Sequence, residues 1–357
     1  MTILRSRNKT RRIFVGDVPV GGDAPISVQS MTNTPTEDIS ATVGQILRLQ
    51  EAGCEIVRVA VPDMDAALAI KKIRARVAIP VIADIHFDYQ LAIAAAQNGA
   101  DCLRINPGNI GRKEKVAAVV SAAKEFDLPI RIGVNAGSLE KDLLEKHAGA
   151  TPAAMVESAF RHIDLLDTFG FDNIKISLKA SDVPRTVAAY RAFAEQSDIP
   201  VHVGVTEAGS LYTGIVKSAM GIGMILAEGI GDTIRVSLTR DPVEEVRVGY
   251  EILKALGLRQ HGPDLISCPT CGRCGIDLFD VVEQVEKALM TCREPIRVAI
   301  MGCVVNGPGE AKEADIGIAG GKGVGILFKK GRVVKKVPQE QLVETLLAEI
   351  DTMIPVK

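Results

Sequence analysis

The sequence lacks any long apolar run, and this absence bounds the class of protein. No stretch of about 18 apolar residues is free of charges, so no membrane-spanning helix is expected. Its 42 lysines and arginines are nearly matched by 44 aspartates and glutamates, and the net charge of -2 does not favour a nucleic-acid-binding protein. One positive run, RSRNKTRR, is not followed by the apolar segment of a targeting peptide. We expect it to be a solvated terminus that leads into a strand, IFVG.

Cysteine is sparse over most of the chain and concentrated near its end. Cys54 and Cys102 lie in apolar contexts typical of small core residues, and the other five of the seven cysteines follow residue 267. The odd number of cysteines, their clustering and the lack of a signal peptide argue against a disulfide framework. The pattern instead predicts a protein of the reducing cytoplasm with a metal or redox site.

A repeated strand–helix pattern occupies the first 240 of the 357 residues. Eight apolar runs each end in a polar or glycine-rich tip, and amphipathic segments with apolar residues at helical spacing separate them. The runs cover 26–31, 56–62, 81–87, 102–108, 130–138, 174–181, 201–209 and 233–239. Alternating strands and helices predict parallel pairing, and eight units of this length predict a (β/α)8 TIM barrel. A doubly wound open sheet is the alternative, although no GxGxxG follows the first strand.

Polar side chains crowd the carboxyl ends of these strands, where barrels carry their chemistry. They are Arg58, Asp84, His86, Arg104, Asn106, Asn109, Arg131, Asn135, Ser138, Lys175, Ser177, Lys179, His202, Thr206, Glu207, Arg235 and Ser237. Because a buried charge without a partner is costly, converging cations indicate an anionic ligand with more than one negative charge. Asp84 and Glu207 are equally compatible with an acid/base pair and with ion pairs to the arginines. Neither His86 nor His202 is expected to bind a metal.

The pattern changes after residue 240. Residues 241–260 predict an amphipathic helix, either the last of the barrel or a linker. Residues 261–357 predict a smaller α+β domain in the order strand, helix, strand, strand, hairpin and helix, with Lys330 and Gly331 near the hairpin turn. We therefore expect a barrel over 1–240, a helix or linker over 241–260 and a second domain over 261–357.

The cysteines of SCPTCGRCG and MGCVVNGPGE allow three interpretations. A zinc site needs a second CxxC or HxxH pair, which the chain does not offer, and a catalytic thiol needs a neighbouring base, which is not visible. CxxCxxC with a remote cysteine is a spacing found at iron–sulfur sites. Spacing alone predicts four ligands, Cys268, Cys271, Cys274 and Cys303. Cys292, at a helix end, is interpreted as structural.

Several motifs together resemble the 4-hydroxy-3-methylbut-2-enyl diphosphate synthase family of the methylerythritol phosphate route to isoprenoids. They are SVQSMTNTPTED, LRINPGN, RIGVNAGSLE, VTEAG, SCPTCGRC, MGCVVNGPGE and EADIGIAGG, in this order along essentially the whole chain. The resemblance implies a barrel followed by an iron–sulfur domain similar to those of sulfite reductases. It also implies an oxidoreductase that opens the ring of 2-C-methyl-D-erythritol 2,4-cyclodiphosphate with two electrons and loss of water.

The resemblance also implies the site residues and partners. One 4Fe–4S cluster per chain would be held by Cys268, Cys271, Cys303 and Glu310, with Cys274 not a ligand. Since a carboxylate binds cluster iron more weakly than a thiolate, Glu310 would be the ligand that substrate displaces. The diphosphate contacts correspond to Arg58, Arg104, Arg131, Asn135, Lys175, Arg235 and Ser237.

Further roles follow from the same resemblance. Glu207 would supply a proton in the dehydration, and Asp84, His86 and Asn106 would hold the carbon skeleton. Electrons would come from flavodoxin or ferredoxin, since no flavin or nicotinamide motif is present. A homodimer is implied, in which the cluster domain of one protomer covers the barrel of its partner. The alternative is a phosphate-binding barrel whose tail is only a structural zinc or iron–sulfur clip.

Overall fold

The computed structural model describes residues 4–290, 292–304, 309 and 311–354. The chain forms two compact units, Met1–Arg259 and Gln260–Lys357, which are described in turn. No helix in these ranges is both long enough and apolar enough to cross a membrane. All seven cysteines carry free thiols.

The first unit is the expected (β/α)8 barrel, preceded by a hairpin. The hairpin strands are β1 (Ile13–Val15) and β2 (Val18–Val20). The barrel strands are β3 (Ser27–Met31), β4 (Ile56–Ala60), β5 (Val81–Asp84), β6 (Cys102–Ile105), β7 (Ile130–Asn135), β8 (Ile174–Lys179), β9 (His202–Val203) and β10 (Thr233–Ile234). The helices are α1 (Ile39–Glu51), α2 (Met64–Arg74), α3 (Tyr89–Gln97), α4 (Pro107–Ile110), α5 (Lys113–Glu125), α6 (Lys141–Lys146), α7 (Pro152–Asp167), α8 (Val183–Ala194), α9 (Leu211–Ala227) and α10 (Pro242–Ala255).

All eight barrel strands fall within the apolar runs of the sequence, which confirms the predicted fold. They pair in parallel in the order β8-β7-β6-β5-β4-β3-β10-β9, and a parallel bridge between Ile176 and Val201 joins the two ends of this sheet. Several helices begin at a side-chain cap, as α2 does where Asp63 accepts a hydrogen bond from the Ala66 amide. On the outer face of the strands, branched aliphatic residues pack against the apolar residues of the helices and form the main core.

The strand registers arrange the inward side chains in layers of four from alternate strands, as is usual for this fold. From the amino-terminal end upward, the layers are Ile56, Cys102, Lys175 and Thr233; then Gln29, Ile82, Arg131 and His202; then Arg58, Arg104, Ser177 and Arg235; then Met31, Asp84, Gly133 and Gly204; then Ala60, Asn106, Lys179 and Ser237. Barrel layers are normally rich in branched aliphatic residues. Here the polar side chains are concentrated on one side at the bottom and on all sides near the mouth.

The hairpin closes the amino-terminal end of the barrel. Ile13, Val15 and Val20 are buried, and they pack in one apolar cluster with the inward residues Ile56 and Ile82. The preceding basic segment is not the solvated terminus expected from the sequence, because the amides of residues 5 and 8 donate to the carbonyls of residues 227 and 229. One of its charges is also partnered: Arg7 lies 2.8 Å from the buried Asp232, which directly precedes β10. The barrel interior therefore opens at the carboxyl ends of the strands.

Helix α10 belongs to the barrel and does not act as a linker. Its Gly249 lies so close to β3 that an added Cβ would be 3.1 Å from Cγ1 of Val28. The tyrosine at position 250 donates a 2.8 Å hydrogen bond to the carbonyl of Gly53. Of the two interpretations that the sequence left open for residues 241–260, these contacts favour the last barrel helix. Binding of diphosphate by the first unit and of a cluster by the second stays a prediction at this point.

The second unit has the expected order of strands and helices. Its strands are β11 (Asp264–Ser267), β12 (Arg297–Met301), β13 (Ile316–Ala319), β14 (Val324–Lys329) and β15 (Arg332–Pro338), and its helices are α11 (Leu278–Leu289) and α12 (Leu342–Met353). β11, β12 and β13 are parallel, and β14 and β15 form the antiparallel hairpin. Lys330 and Gly331 both have positive φ, as a two-residue hairpin turn requires. The similarity to sulfite reductase domains stays a prediction.

Candidate functional site

Asp84 is the centre of an ion-pair network at the barrel mouth. One carboxylate oxygen lies 2.8 Å from Nη1 of Arg104, and the other lies 3.5 Å from Nε of Arg58 and 3.7 Å from Nε2 of His86. Burial alone would raise the pKa of Asp84, but the two arginine charges outweigh it and hold that pKa at about 2. Asp84 is therefore ionised at neutral pH. The structure favours the ion-pair interpretation for this carboxylate over a role as an acid.

Arg235 is held by a residue that the sequence did not single out. Glu245 of α10 is buried, and its two oxygens each lie 3.2 Å from a guanidinium nitrogen of Arg235. The same carboxylate accepts hydrogen bonds from Ser30 Oγ and from the Leu238 amide, both at 3.0 Å. Such a two-pronged pair fixes the plane of an arginine side chain. The acidic pair in DPVEEVR was an available signal for this residue. Adjacent residues on a helix point in directions about 100° apart, so the two glutamates do not share the solvent face equally.

Two glycines make room for cations in the layer that contains Asp84. A Cβ on Gly133 would lie 2.7 Å from Nε of Arg104, and a Cβ on Gly204 would lie 2.8 Å from Nζ of Lys179. Both distances are shorter than side chains tolerate, so the long cationic chains occupy the space that larger residues would fill. Lys179 also contacts Nε2 of His202 at 3.3 Å.

The two lysines of β8 lie at different depths. Lys179 is at the carboxyl end of its strand, whereas Lys175 is four residues earlier, or roughly 13 Å along the strand. Lys175 is fully buried in the lowest layer, and its Nζ has no hydrogen-bond partner among the described residues. Burial lowers the pKa of Lys175 to about 8. The structure thus brings Lys179 to the mouth, whereas Lys175 lies below it, paired in register with Arg131 on β7.

A cavity of about 420 Å³ opens at the mouth beside Lys179. Its lining includes Asn135, Thr206 and Glu207. Glu207 is exposed and has a φ of 52°, a left-handed backbone conformation that is uncommon for residues other than glycine. Such strained residues often occur at functional sites. Lys179 and Glu207 therefore present opposite charges to one cavity.

The remaining predicted residues of the barrel surround this network. Asn106 is buried and caps α4 by accepting a 3.0 Å hydrogen bond from the Gly108 amide. Arg131 is fully buried, and burial together with the neighbouring Arg58 and Arg104 lowers its pKa. His86 has a half-exposed side chain, and Ser237 is half-buried at the level of Lys179.

Two of the predicted cluster ligands follow neighbouring strands of the second unit. Cys268 comes directly after β11 and Cys303 lies two residues after β12, so the parallel pairing of these strands places both at the same edge of the sheet. The Gly302 amide donates to Sγ of Cys268 at 3.3 Å, and a Cβ at Gly302 would lie 2.5 Å from Sγ of Cys274. A glycine is thus needed where these sulfurs approach the backbone.

The other cysteines of this unit differ in exposure. Cys271 is exposed, whereas Cys274 and Cys292 are half-buried and direct their thiols to backbone carbonyls at 3.3 Å and 3.7 Å. No set of three or more His, Cys, Asp or Glu side chains in the described ranges is placed to hold one metal ion. Glu310, the predicted fourth ligand, lies outside the described residues.

Fold and site together define a (β/α)8 barrel with a cation-rich mouth, followed by a small domain with a cysteine-bearing loop. The family profile described as the GcpE TIM-barrel domain matches residues 10–250. The profile described as the GcpE protein C-terminal domain matches residues 264–352. The chain belongs to the GcpE family.

Curated relatives match over nearly the full length. A protein of Geobacter sulfurreducens is 61% identical over 349 residues, which cover 98% of this chain and 99% of the relative. A protein of Clostridium perfringens is 58% identical over 348 residues, with 98% and 100% covered. Both are named 4-hydroxy-3-methylbut-2-en-1-yl diphosphate synthase (flavodoxin). The resemblance found in the sequence is confirmed, and so is the expectation that the chain is an enzyme.

More distant solved structures share the barrel alone. A dihydropteroate synthase of Xanthomonas albilineans has a TM-score of 0.51 at 16% identity, covering 69% of this chain and 98% of that one. A truncated 3-deoxy-D-arabino-heptulosonate 7-phosphate synthase of Thermotoga maritima also has a TM-score of 0.51, at 13% identity, covering 70% and 94%. At such identities the likeness supports the fold and carries no information on substrate.

Proposed function

We propose that this protein opens the ring of 2-C-methyl-D-erythritol 2,4-cyclodiphosphate reductively to give 4-hydroxy-3-methylbut-2-enyl diphosphate. Two electrons are consumed and water is lost. Two observations agree and carry the proposal. Relatives about 60% identical over nearly the whole chain bear the name of this enzyme, and the barrel interior contains the cations that a multiply charged anion requires. The alternative of a binding barrel with a structural clip has no support in these relatives, since both carry the name of an enzyme.

The cations of the barrel bind the diphosphate. Four arginines and two lysines face inward. Among the described residues, the buried carboxylate of Asp84 lies in the barrel interior, and that of Glu245 reaches Arg235 from α10. The excess positive charge suits phosphate oxygens, which arginine binds with two parallel hydrogen bonds. The contacts are assigned to Arg58, Arg104, Arg131, Asn135, Lys175, Arg235 and Ser237. Because Lys179 lies in the mouth and Lys175 lies below it, Lys179 is added as a direct contact, and Lys175 contributes its charge from beneath.

Glu207 supplies the proton for the departing hydroxyl. It is the acidic side chain that lines the cavity at the mouth, and it is exposed there, so it can exchange protons with solvent. Asp84 is unsuited to this role, because its pKa of about 2 keeps it ionised at neutral pH. Asp84 instead orients Arg104 and Arg58. His86 and Asn106 lie beside this network and hold the carbon skeleton of the substrate.

The second unit holds a 4Fe–4S cluster through Cys268, Cys271, Cys303 and Glu310. The hydrogen bond from the Gly302 amide to Sγ of Cys268 fits a thiolate-held cluster, whose sulfurs commonly accept such bonds. When bound, the cluster supplies electrons to the substrate one at a time. The chain's own residues hold the diphosphate, fix the arginines and deliver the proton. Flavodoxin, named for the relatives, is the proposed electron donor, with ferredoxin as the other candidate carrier.

The family resemblance adds two further proposals. The protein works in the cytoplasm, where its seven free thiols stay reduced. It forms a homodimer in which the second unit of one protomer covers the barrel of its partner. Mixing two inactive variants, one altered at Glu207 and one at Cys271, tests this arrangement. Recovery of activity on mixing supports it, and a mixture that stays inactive despite subunit exchange contradicts it.

One experiment tests the proposed function directly. The protein is purified without oxygen, its iron, sulfide and zinc are counted, and turnover of the cyclodiphosphate is followed with reduced flavodoxin. About four irons per chain and formation of the linear diphosphate are expected. Glu207→Gln should keep the iron content and the affinity for inorganic pyrophosphate while losing turnover. One zinc per chain and no turnover after anaerobic reconstitution would reject the proposal.

A further inference from the structure

Below the mouth, the barrel interior contains a second group of polar side chains, of which only Arg131 is proposed to contact the diphosphate directly. We name it the deep polar cluster, and it consists of Ser27, Gln29, Arg131, Lys175, His202 and Thr233. Every member is at most 2% exposed. The six residues lie on strands that are consecutive around the barrel, β7, β8, β9, β10 and β3. They therefore form one polar side of the lower barrel interior, opposite the apolar Ile56 and Ile82: Ser27 lies at the bottom, and the other five lie in the two layers above it.

The polar atoms of this cluster lack partners within the protein. Eight side-chain atoms neither accept nor donate a hydrogen bond among the described residues. They are Nζ of Lys175, Nδ1 of His202, Oγ1 of Thr233, Oγ of Ser27, both amide atoms of Gln29 and two guanidinium nitrogens of Arg131. Buried polar groups are almost always satisfied, and the few exceptions call for a ligand or ordered water. Six such residues in one place point to a bound species and not to a single packing defect.

The chemistry of the unpaired atoms selects an anion. Nε2 of His202 lies 3.3 Å from Nζ of Lys179. With Lys179 as the donor in this contact, Nε2 accepts and Nδ1 carries the hydrogen. His202 thus directs a donor to the cluster. The other members direct an ammonium, a guanidinium, two hydroxyls and an amide to it, and Gln29 Oε1 is its one atom that can only accept. Since both oxygens of Asp84 already contact other cations, the charge of Lys175 lacks a counterion in these layers.

The space selects a small anion. The interior of an eight-stranded barrel is only just wide enough for its own side chains. The hairpin closes the end below the cluster with buried apolar residues. A phosphate or diphosphate is larger than a monatomic ion, and the cavity of about 420 Å³ at the mouth offers the room that it needs.

We propose that the deep polar cluster binds one chloride ion, held by Lys175, His202 Nδ1 and Thr233, beneath the diphosphate site. The ion neutralises Lys175 and keeps the floor of the mouth rigid. Tyr190 supports the arrangement from outside, because its hydroxyl donates to the His202 carbonyl at 2.5 Å and accepts from the Leu178 amide at 3.1 Å. The proposal rests on the proposed function in one respect, because the solution test uses pyrophosphate to occupy the mouth, whereas locating the ion in a crystal does not depend on it.

Thermal unfolding tests the proposal in solution. The full-length protein is equilibrated with sodium chloride or with sodium gluconate, an anion too large for the cluster, at equal ionic strength. Inorganic pyrophosphate is then added to saturation so that chloride cannot act at the mouth. A saturable chloride-dependent rise of several degrees in the unfolding midpoint is expected for the wild type, as binding to the folded state requires. Lys175→Met should abolish the rise, whereas the matched variant Lys124→Met, at an exposed lysine of the barrel surface, should keep it.

A crystal grown in sodium bromide locates the ion. An anomalous difference peak between Lys175, His202 and Thr233 is expected in the wild type, and this result does not depend on whether Lys175→Met folds. Ordered water alone at that position would overturn the proposal. So would a bromide peak confined to Arg58 and Arg104, or a chloride effect that survives Lys175→Met.

Discussion

The substitution Gly133→Ala tests whether a missing side chain sets the position of a diphosphate-binding arginine. A methyl group at this position would lie 2.7 Å from Nε and 2.8 Å from Nη2 of Arg104. The guanidinium must therefore move away from β7. Its Nη1 would then lose the 2.8 Å hydrogen bond to Asp84 that now fixes its direction.

The expected magnitude follows from that bond. A hydrogen bond between charged groups contributes about 1.5–3 kcal/mol, and a tenfold change in affinity corresponds to about 1.4 kcal/mol. If the displaced Arg104 loses one such bond to the ligand, the affinity for inorganic pyrophosphate should fall roughly 10- to 100-fold. The iron content of the second unit should not change, because Gly133 belongs to the barrel.

Isothermal titration calorimetry measures this effect, with Gly44→Ala as the matched control. Gly44 lies on α1, and a Cβ there would have no atom within 4 Å, so its variant should bind as the wild type does. The substitution is repeated in an Arg104→Ala background, where Gly133→Ala should cost nothing further if it acts through Arg104. Unchanged affinity in Gly133→Ala, or an equal loss in both backgrounds, would refute the reasoning.

Three further predictions concern the same network. Because the folded state holds the pKa of Asp84 at about 2 against an ordinary 3.8, its ionised form contributes about 2 kcal/mol of stability above pH 4. This contribution should fade as the pH falls towards 2; urea unfolding across this range measures it, and the same fading in Asp84→Asn would contradict it. Glu245→Gln should lower the free energy of unfolding by about 3 kcal/mol, since it leaves the half-buried Arg235 without its charged partner. The control Glu244→Gln, at a partly exposed position, should cost less than about 1 kcal/mol. Equal losses would count against a structural role for the Arg235–Glu245 pair. Lys179→Met should weaken pyrophosphate binding at least tenfold by calorimetry, and more than Lys175→Met does; the reverse order would mean that depth in the barrel has been misjudged.

The barrel itself could be predicted from local patterns. Each strand is a short run of branched residues bounded by polar tips, and each helix has its own apolar face, so β3 to β10 are visible one at a time. The carboxyl ends of parallel strands must meet, and this brings Arg58, Arg104 and Asp84 together without any knowledge of the register. The motifs of the second unit likewise fixed the strand ends that carry Cys268 and Cys303.

Depth within the barrel could not be predicted in this way. Whether a side chain lies at the mouth or near the floor depends on the register of all eight strands, which is set by packing around the whole sheet. Lys175 and Lys179 point in the same direction from one strand and look equivalent in the sequence, yet their surroundings differ. Glu245 was missed for a related reason, because it lies on a helix outside the barrel and reaches Arg235 from behind the strands.

The closed lower end of the barrel imposes an order on events. Since the hairpin packs its buried residues on Ile56 and Ile82, a small ion near Lys175 can enter and leave only past Arg58 and Arg104. Diphosphate bound above would therefore block this path, so that the ion would bind before the diphosphate and leave after it. Exchange of the deep ion would then be timed by product departure, so that the ion stays through a whole turnover and is renewed only between catalytic cycles.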